Sequence, residues 1–291
     1  MNYYIGIDLG TSSCKGILLN RNGAVLAAHS VNYPVSTPYT NWSEQDPADW
    51  YKATVEILKV LSEGREESVK GVGIAGQMHG LVMLDEHDEV IRPAILWNDG
   101  RSAPQTAYLN SLGTLPTLTG NIAFPGFTAP KILWVKENEP ENFAKAKKIC
   151  LPKDYLAYKL TGVFSSEYSD AAGMLLLDVQ NKCWSPEMCE ICGITVDMLP
   201  TLFESYEATG KLKAEYSLPN AILCAGAGDN AGAAVGTNTL RDGDCSISLG
   251  TSGTIFLPCD EFNTECGTAL HNFAHANGKF HLMGCILSAA S

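Results

Sequence analysis

Two short segments of this chain carry nearly the same residues in the same order. Ile7-Asp8-Leu9-Gly10-Thr11-Ser12-Ser13 lies near the start, and Ile247-Ser248-Leu249-Gly250-Thr251-Ser252-Gly253 recurs far downstream. Each follows an apolar, β-branched run and leads into another (15–19 and 254–257), which predicts strand, tight turn, strand. A turn of glycine and small hydroxyl residues gathers backbone N–H groups and hydroxyls at one point, a concavity suited to phosphate oxygens. Recurrence with both flanks argues against a chance turn and predicts two related domains whose turns face each other across a cleft. Only the first copy carries a carboxylate, Asp8. That asymmetry predicts a metal-nucleotide between the turns, with Asp8 as the Mg²⁺ carboxylate.

Gly226-Ala227-Gly228-Asp229-Asn230-Ala231-Gly232 is the second candidate. Its third glycine is one residue late for a dinucleotide loop, and Asp229 would repel a pyrophosphate. A carboxylate capping a helix that begins at Asn230 is better suited to take a proton from a neutral hydroxyl. Gly71-Val72-Gly73-Ile74-Ala75-Gly76 matches a dinucleotide loop by letters but lies within a strand and leads to another strand. The Gln77-Met78-His79-Gly80 that follows reads equally as a polyol contact or as a structural sheet edge. Trp97-Asn98-Asp99-Gly100-Arg101 joins an aromatic plate to polar and guanidinium groups, a set that carbohydrate sites use, although Asp99 alone could cap a helix. Lys153-Asp154 by itself looks like a first-turn helix pair. Cys189-Glu190-Ile191-Cys192 is a lone CxxC and reads as helix packing, while His271 and His275 fall in strand-like sequence where helical metal spacing fails.

The elements that must hold these groups alternate, so the class is α/β. Residues 3–33 read as a three-strand meander with an Asn22-Gly23 hairpin turn, and Asp46-Pro47 opens an amphipathic helix. Helical segments at 131–137, 152–160 and 186–192 suggest an elaboration over about 120–215 grafted on a first domain of 1–220. A second domain is expected over 221–291, beginning with a buried strand, and it holds too little chain to close a core like its partner's, which predicts a fragment of a longer protein. With 45% hydrophobic and 18% charged residues in 291, the chain has material for a real core, and no apolar run reaches membrane-span length. The Met1-Asn2-Tyr3-Tyr4 start lacks a basic leader, and ten scattered cysteines suit a reducing cytoplasm. A net charge of −12 argues against nucleic acid and makes a divalent cation the expected bridge to a polyphosphate.

Taken together, the chain resembles the FGGY family of carbohydrate kinases. The resemblance is carried by Ile7-Asp8-Leu9-Gly10-Thr11-Ser12, Trp42-Ser43-Glu44-Gln45-Asp46, Gly76-Gln77-Met78-His79-Gly80, Ile95-Leu96-Trp97-Asn98-Asp99-Gly100-Arg101, Pro125-Gly126-Phe127-Thr128-Ala129-Pro130-Lys131, Leu151-Pro152-Lys153-Asp154-Tyr155, Ser169-Asp170-Ala171-Ala172-Gly173, Gly228-Asp229-Asn230-Ala231 and Leu249-Gly250-Thr251-Ser252-Gly253. It implies an actin-like, ribonuclease H-like duplicated ATPase fold of two domains, the second incomplete, with ATP and sugar in the interdomain cleft. Asp229 is then the implied general base and Asp8 the Mg-nucleotide carboxylate. Gln77, Met78, His79, Trp97, Asn98, Asp99, Arg101, Lys153, Asp154 and Asn230 are the implied sugar-side residues. Gly10, Thr11, Ser12 and Lys15, with Gly250, Thr251 and Ser252, are the implied phosphate-side residues. The expected partners are ATP and a sugar, D-xylulose first among them, and the resemblance admits a homodimer. A kinase for another sugar or polyol, a sugar-binding piece without catalysis, and an actin-like or chaperone ATPase share some of these features.

Overall fold

The computed structural model describes residues 1–249, 253–263 and 270–286. β1 (Tyr3–Leu9), β2 (Ser13–Asn20) and β3 (Val25–Asn32) form an antiparallel meander. Its second turn is held by the Asn20 side chain, which accepts from the Asn22 and Ala24 amides. Asp46 caps α1 (Pro47–Ser62) by accepting from the Ala48 amide at 2.9 Å. Trp50, Ile57, Leu58 and Leu61 recur on one helical face, and that face is buried on the meander. β4 (Val69–Gly76) then returns parallel to β1.

The elaboration follows, with α2 (Thr128–Asn138), α3 (Pro152–Thr161) and the helix Pro186–Cys192 where the sequence predicts helices. It has its own core around Phe127, Ile132, Leu175 and Met188. Cys189 and Cys192 are buried in that helix, and every cysteine among the described residues is a free thiol. β5 (Ala208–Lys211), β6 (Ile222–Cys224) and β7 (Ala227–Gly228) rejoin the first sheet, whose order is β5–β6–β4–β1–β2–β3, with β7 also on β4. The strand at which the sequence starts a second domain is therefore hydrogen-bonded into the first sheet, because β6 and β7 run parallel to β4 and extend it. A buried apolar run does not reveal which sheet it will join.

α4 (Asp229–Gly236) leaves the first sheet, one residue earlier than expected. Beyond it, β8 (Ser246–Leu249), β9 (Gly253–Cys259), β10 (His271–Ala274) and β11 (Phe280–Ile286) make an antiparallel sheet ordered β8–β9–β11–β10. The repeated turn lies between β8 and β9, and its residues Gly250, Thr251 and Ser252 fall outside the described residues. Among the described residues, no helix is long and apolar enough to cross a membrane.

Candidate active site

The register of three parallel strands brings the two carboxylates to one place. Asp8 of β1 and Ala227 of β7 flank the same residue of β4, Ala75, from opposite sides. Asp229 follows directly after β7, so both acids stand at the carboxyl ends of parallel strands, where α/β sheets bind ligands. Two glycines make this approach feasible. Gly226 has φ +85°, and a Cβ there would lie 2.0 Å from the Ile74 carbonyl oxygen. A Cβ on Gly228 would stand 3.0 Å from both Cγ and Sδ of Met78.

Asp229 Oδ1 accepts from the Asn230 amide at 2.7 Å and from its side-chain Nδ2 at 2.9 Å. Burial raises the Asp229 pKa to about 6; the Asn230 amide lowers it, and the Asp8 charge raises it further. Asp8 is open to solvent at its rim, yet enclosure of its carboxylate lifts its pKa, opposed by Lys15, its cross-strand partner on β2. A cavity of about 240 Å³ opens beside Asp229. Met78, His79, Trp97 and Asn230 line it from the first sheet, and Ser248, Thr254, His271, Met283 and Cys285 line it from the second.

His79 holds a left-handed backbone, φ +67°, uncommon for a residue with a Cβ. Its carbonyl accepts from Thr128 Oγ1 at 3.2 Å and from Lys131 Nζ at 2.9 Å, and its Nδ1 meets the Gly173 carbonyl at 2.7 Å. A carbonyl can only accept, so Nδ1 carries the proton and Nε2 is an acceptor. Burial drives the His79 pKa down to about 3, so the ring is neutral. Lys131 is wholly buried, and desolvation brings its pKa to about 7, Asp99 opposing. Sequence reasoning gives Lys131 no role, although it closes the Pro125–Lys131 motif.

The first turn is held from below. Trp97 Nε1 donates to Thr11 Oγ1 at 2.9 Å, and that hydroxyl donates to Gln77 Oε1 at 3.4 Å. Gln45 Nε2 donates to the Thr11 carbonyl at 2.6 Å, and Gln45 Oε1 accepts from Trp50 Nε1 and Gln77 Nε2. The Thr11 hydroxyl is thus engaged inward, and Gln77, 2% exposed, braces the turn and does not line the cavity. Gln45, unassigned from sequence, is the hub.

Several other residues expected on the sugar side are likewise committed to partners inside the protein. Asp99 accepts from the Ser43 amide and from Nε and Nη2 of Arg101, and Arg101 Nη1 lies 2.7 Å from Glu44. The guanidinium stacks 3.6 Å from the Trp42 ring centroid. Both groups are paired inside the protein behind the Trp97 loop, while Asn98 faces solvent outside the cavity lining. Lys153 and Asp154 form a fully buried pair at 2.7 Å, with Asp170 at 3.8 Å and Glu167 at 4.0 Å from the same ammonium. Burial would lower Lys153, yet the surrounding carboxylates hold it above the ordinary lysine value. Glu167 ties this knot to the Asp229 loop, because it accepts from the Gly228 amide next to Asp229 at 3.2 Å.

Two acids thus stand at neighbouring strand ends of one sheet, with a cavity beside Asp229, on a topology of the actin-like ATPase fold. Residues 3–236 match the N-terminal domain of the FGGY family of carbohydrate kinases, and the chain belongs to that family. It is 47% identical to the xylulose kinase of Klebsiella pneumoniae and 46% identical to that of Escherichia coli (strain K12), each over 99% of this chain. It superimposes on the crystal structure of a xyloylose kinase from Brucella ovis with a TM-score of 0.96 at 43% identity, covering 99% of this chain and 62% of that one. The chain spans 61% of the length of the Klebsiella and Escherichia proteins.

Proposed function

We propose that the full-length protein transfers the γ-phosphoryl group of ATP to a hydroxyl of D-xylulose. The observation that carries this reading is Asp229, a half-shielded carboxylate beside a cavity walled by a neutral imidazole, a thioether and an indole. Phosphoryl transfer needs alignment and charge neutralisation more than covalent help. In this reading the sugar lies in the cavity with its C–H surface on Trp97 and Met78 and a hydroxyl on His79 Nε2. Asn230 and Asp229 take the reacting hydroxyl, and Asp229 removes its proton as the new P–O bond forms. A base with a pKa of about 6 is ionised at neutral pH and still a usable acceptor.

The residues suit Mg²⁺. Among the described residues no group of three or more His, Cys, Asp or Glu could enclose a metal by itself. Mg²⁺ typically keeps water and substrate phosphates with one or two carboxylates, and the Asp8 carboxylate stands within electrostatic reach of Asp229. Asp8 would hold it, and the cation would offset phosphate charge. Lys15, the turn of Gly10, Thr11 and Ser12, whose Gly10 N–H donates to the Ser13 carbonyl and leaves the N–H groups of Thr11 and Ser12, and the second turn of Gly250, Thr251 and Ser252 complete the phosphate side. We also assign the enzyme to the cytoplasm. A coupled ADP assay of the full-length protein across pentuloses, hexuloses and polyols tests the reading. D-xylulose should give the highest kcat/KM, and sugar-independent hydrolysis would refute it.

A further inference from the structure

The cavity has a second imidazole that the sequence reading set aside. His271 stands on β10, the second sheet, and shares the cavity with His79 of the first. Its ring stacks on Phe273 at 5.3 Å and 5° between planes, and meets Phe124 at 5.0 Å and Phe127 at 5.2 Å. These rings clamp the imidazole by its faces and edge and offer no acceptor or donor in its plane. Nδ1 is enclosed without a partner, and no hydrogen bond to either ring nitrogen exists among the described residues. Burial also lowers its pKa to about 4, so it is neutral, with one donor and one acceptor. Nδ1 has no accessible surface, so a ligand in the cavity can reach the ring only through Nε2, which is not among the enclosed atoms, and a hydroxyl there would give the imidazole its first hydrogen bond.

We propose that His271 is a sugar-binding residue that hydrogen-bonds a hydroxyl of the substrate from the side of the second sheet, and so takes part in choosing among sugars. This deepens the kinase reading and rests on it. A site with imidazoles on two sheets grips a polyol from both walls, and a sugar lacking the hydroxyl that His271 reads leaves the ring unpaired.

The test uses the full-length protein with His271→Phe, which keeps an aromatic ring among Phe124, Phe127 and Phe273 and removes both nitrogens; His271→Asn is the second variant, should the first fail to fold. The sugar KM should rise about 5–10-fold, the loss of one hydrogen bond, with kcat and the ATP KM within twofold. Across a series of monodeoxy pentuloses, the penalty should vanish for one analogue, the one lacking the contacted hydroxyl. An unchanged sugar KM, or an equal penalty for every analogue, overturns the assignment. Asp229→Asn is run beside it: if that variant turns over normally, the base assignment fails, whereas the deoxy-sugar pattern still decides His271.

Discussion

Replacing Asp229 by asparagine should separate turnover from stability. The folded-state pKa is raised from 3.8 to about 6, chiefly by burial. A raised acid stabilises the fold in its protonated form, fully so below 3.8, and that contribution is lost as pH rises through about 6. Above neutrality the ionised group therefore costs stability. Two units correspond to about 3 kcal/mol, reduced to about 2 kcal/mol because the residue is partly open to screening solvent. Asparagine keeps the shape and the oxygen that accepts from the Asn230 amide, so little else is lost. The variant should melt about 4–8 °C higher at pH 8, with the difference vanishing near pH 4. Turnover of the full-length enzyme should fall about 10²–10⁴-fold. Differential scanning fluorimetry from pH 4 to 8 and a coupled ADP assay read the two effects. A melting point at pH 8 equal to or below the parent's, or a gain that persists at pH 4, would refute the reasoning.

Asp8→Asn removes a charge that raises Asp229, so the acid limb of kcat should move below about pH 6 while the ATP KM rises; an unmoved limb in the pH–rate profile counts against the electrostatic link. Arg101→Met removes the cation paired with buried Asp99, while Glu44 keeps Arg92, and should cost about 3–5 kcal/mol in urea unfolding, whereas a loss under about 1 kcal/mol would mean water replaces the guanidinium. Gly226→Ala drives a Cβ to 2.0 Å from the Ile74 carbonyl oxygen, at a φ that alanine rarely adopts. It should lower the melting temperature more than Gly64→Ala, another positive-φ glycine that has no atom within 4 Å of its Cβ position, and equal losses would contradict the steric argument.

What the sequence discloses and what it withholds follow a physical division. Asp8 and Asp229 are legible because their surroundings are local: a strand, a glycine turn and a helix start each leave a mark within a few residues. The meander, α1 and the helices of the elaboration are legible for the same reason. Asp99 and Arg101 have side chains fit for a sugar, yet residue type does not say whether the partner is a ligand or Glu44, 55 positions or more away, to which the guanidinium is committed. Lys153 and Asp154 are withheld likewise, since the neighbouring Glu167 and Asp170 turn a helix pair into a buried knot. The allegiance of Ile222–Cys224 is a matter of sheet pairing, which no local pattern records. His271 sits in an ordinary strand alternation with Phe273, and only the packing of two sheets brings its ring to the cavity wall.

In the proposed reading, the bond from Trp97 Nε1 to Thr11 Oγ1 makes sugar wall and phosphate turn one device. Trp97 faces the cavity, and Thr11 is the middle residue of the first turn. Through Gln77 and Gln45 the same network reaches the carbonyls of Gly10 and Thr11 and the indole of Trp50 in α1. Those contacts engage the Gly10 and Thr11 carbonyls, and with the Gly10 N–H donating to the Ser13 carbonyl, the N–H groups of Thr11 and Ser12 are the ones left for an anion. In-line transfer tolerates little error in the distance between acceptor hydroxyl and phosphorus. In that reading, fixing the Trp97 plate and the Thr11 turn to one another, not each to its own support, would hold that distance constant. The buried ion pairs behind Trp97 and behind Asp229 serve the same end, since each holds one reacting side against the common sheet.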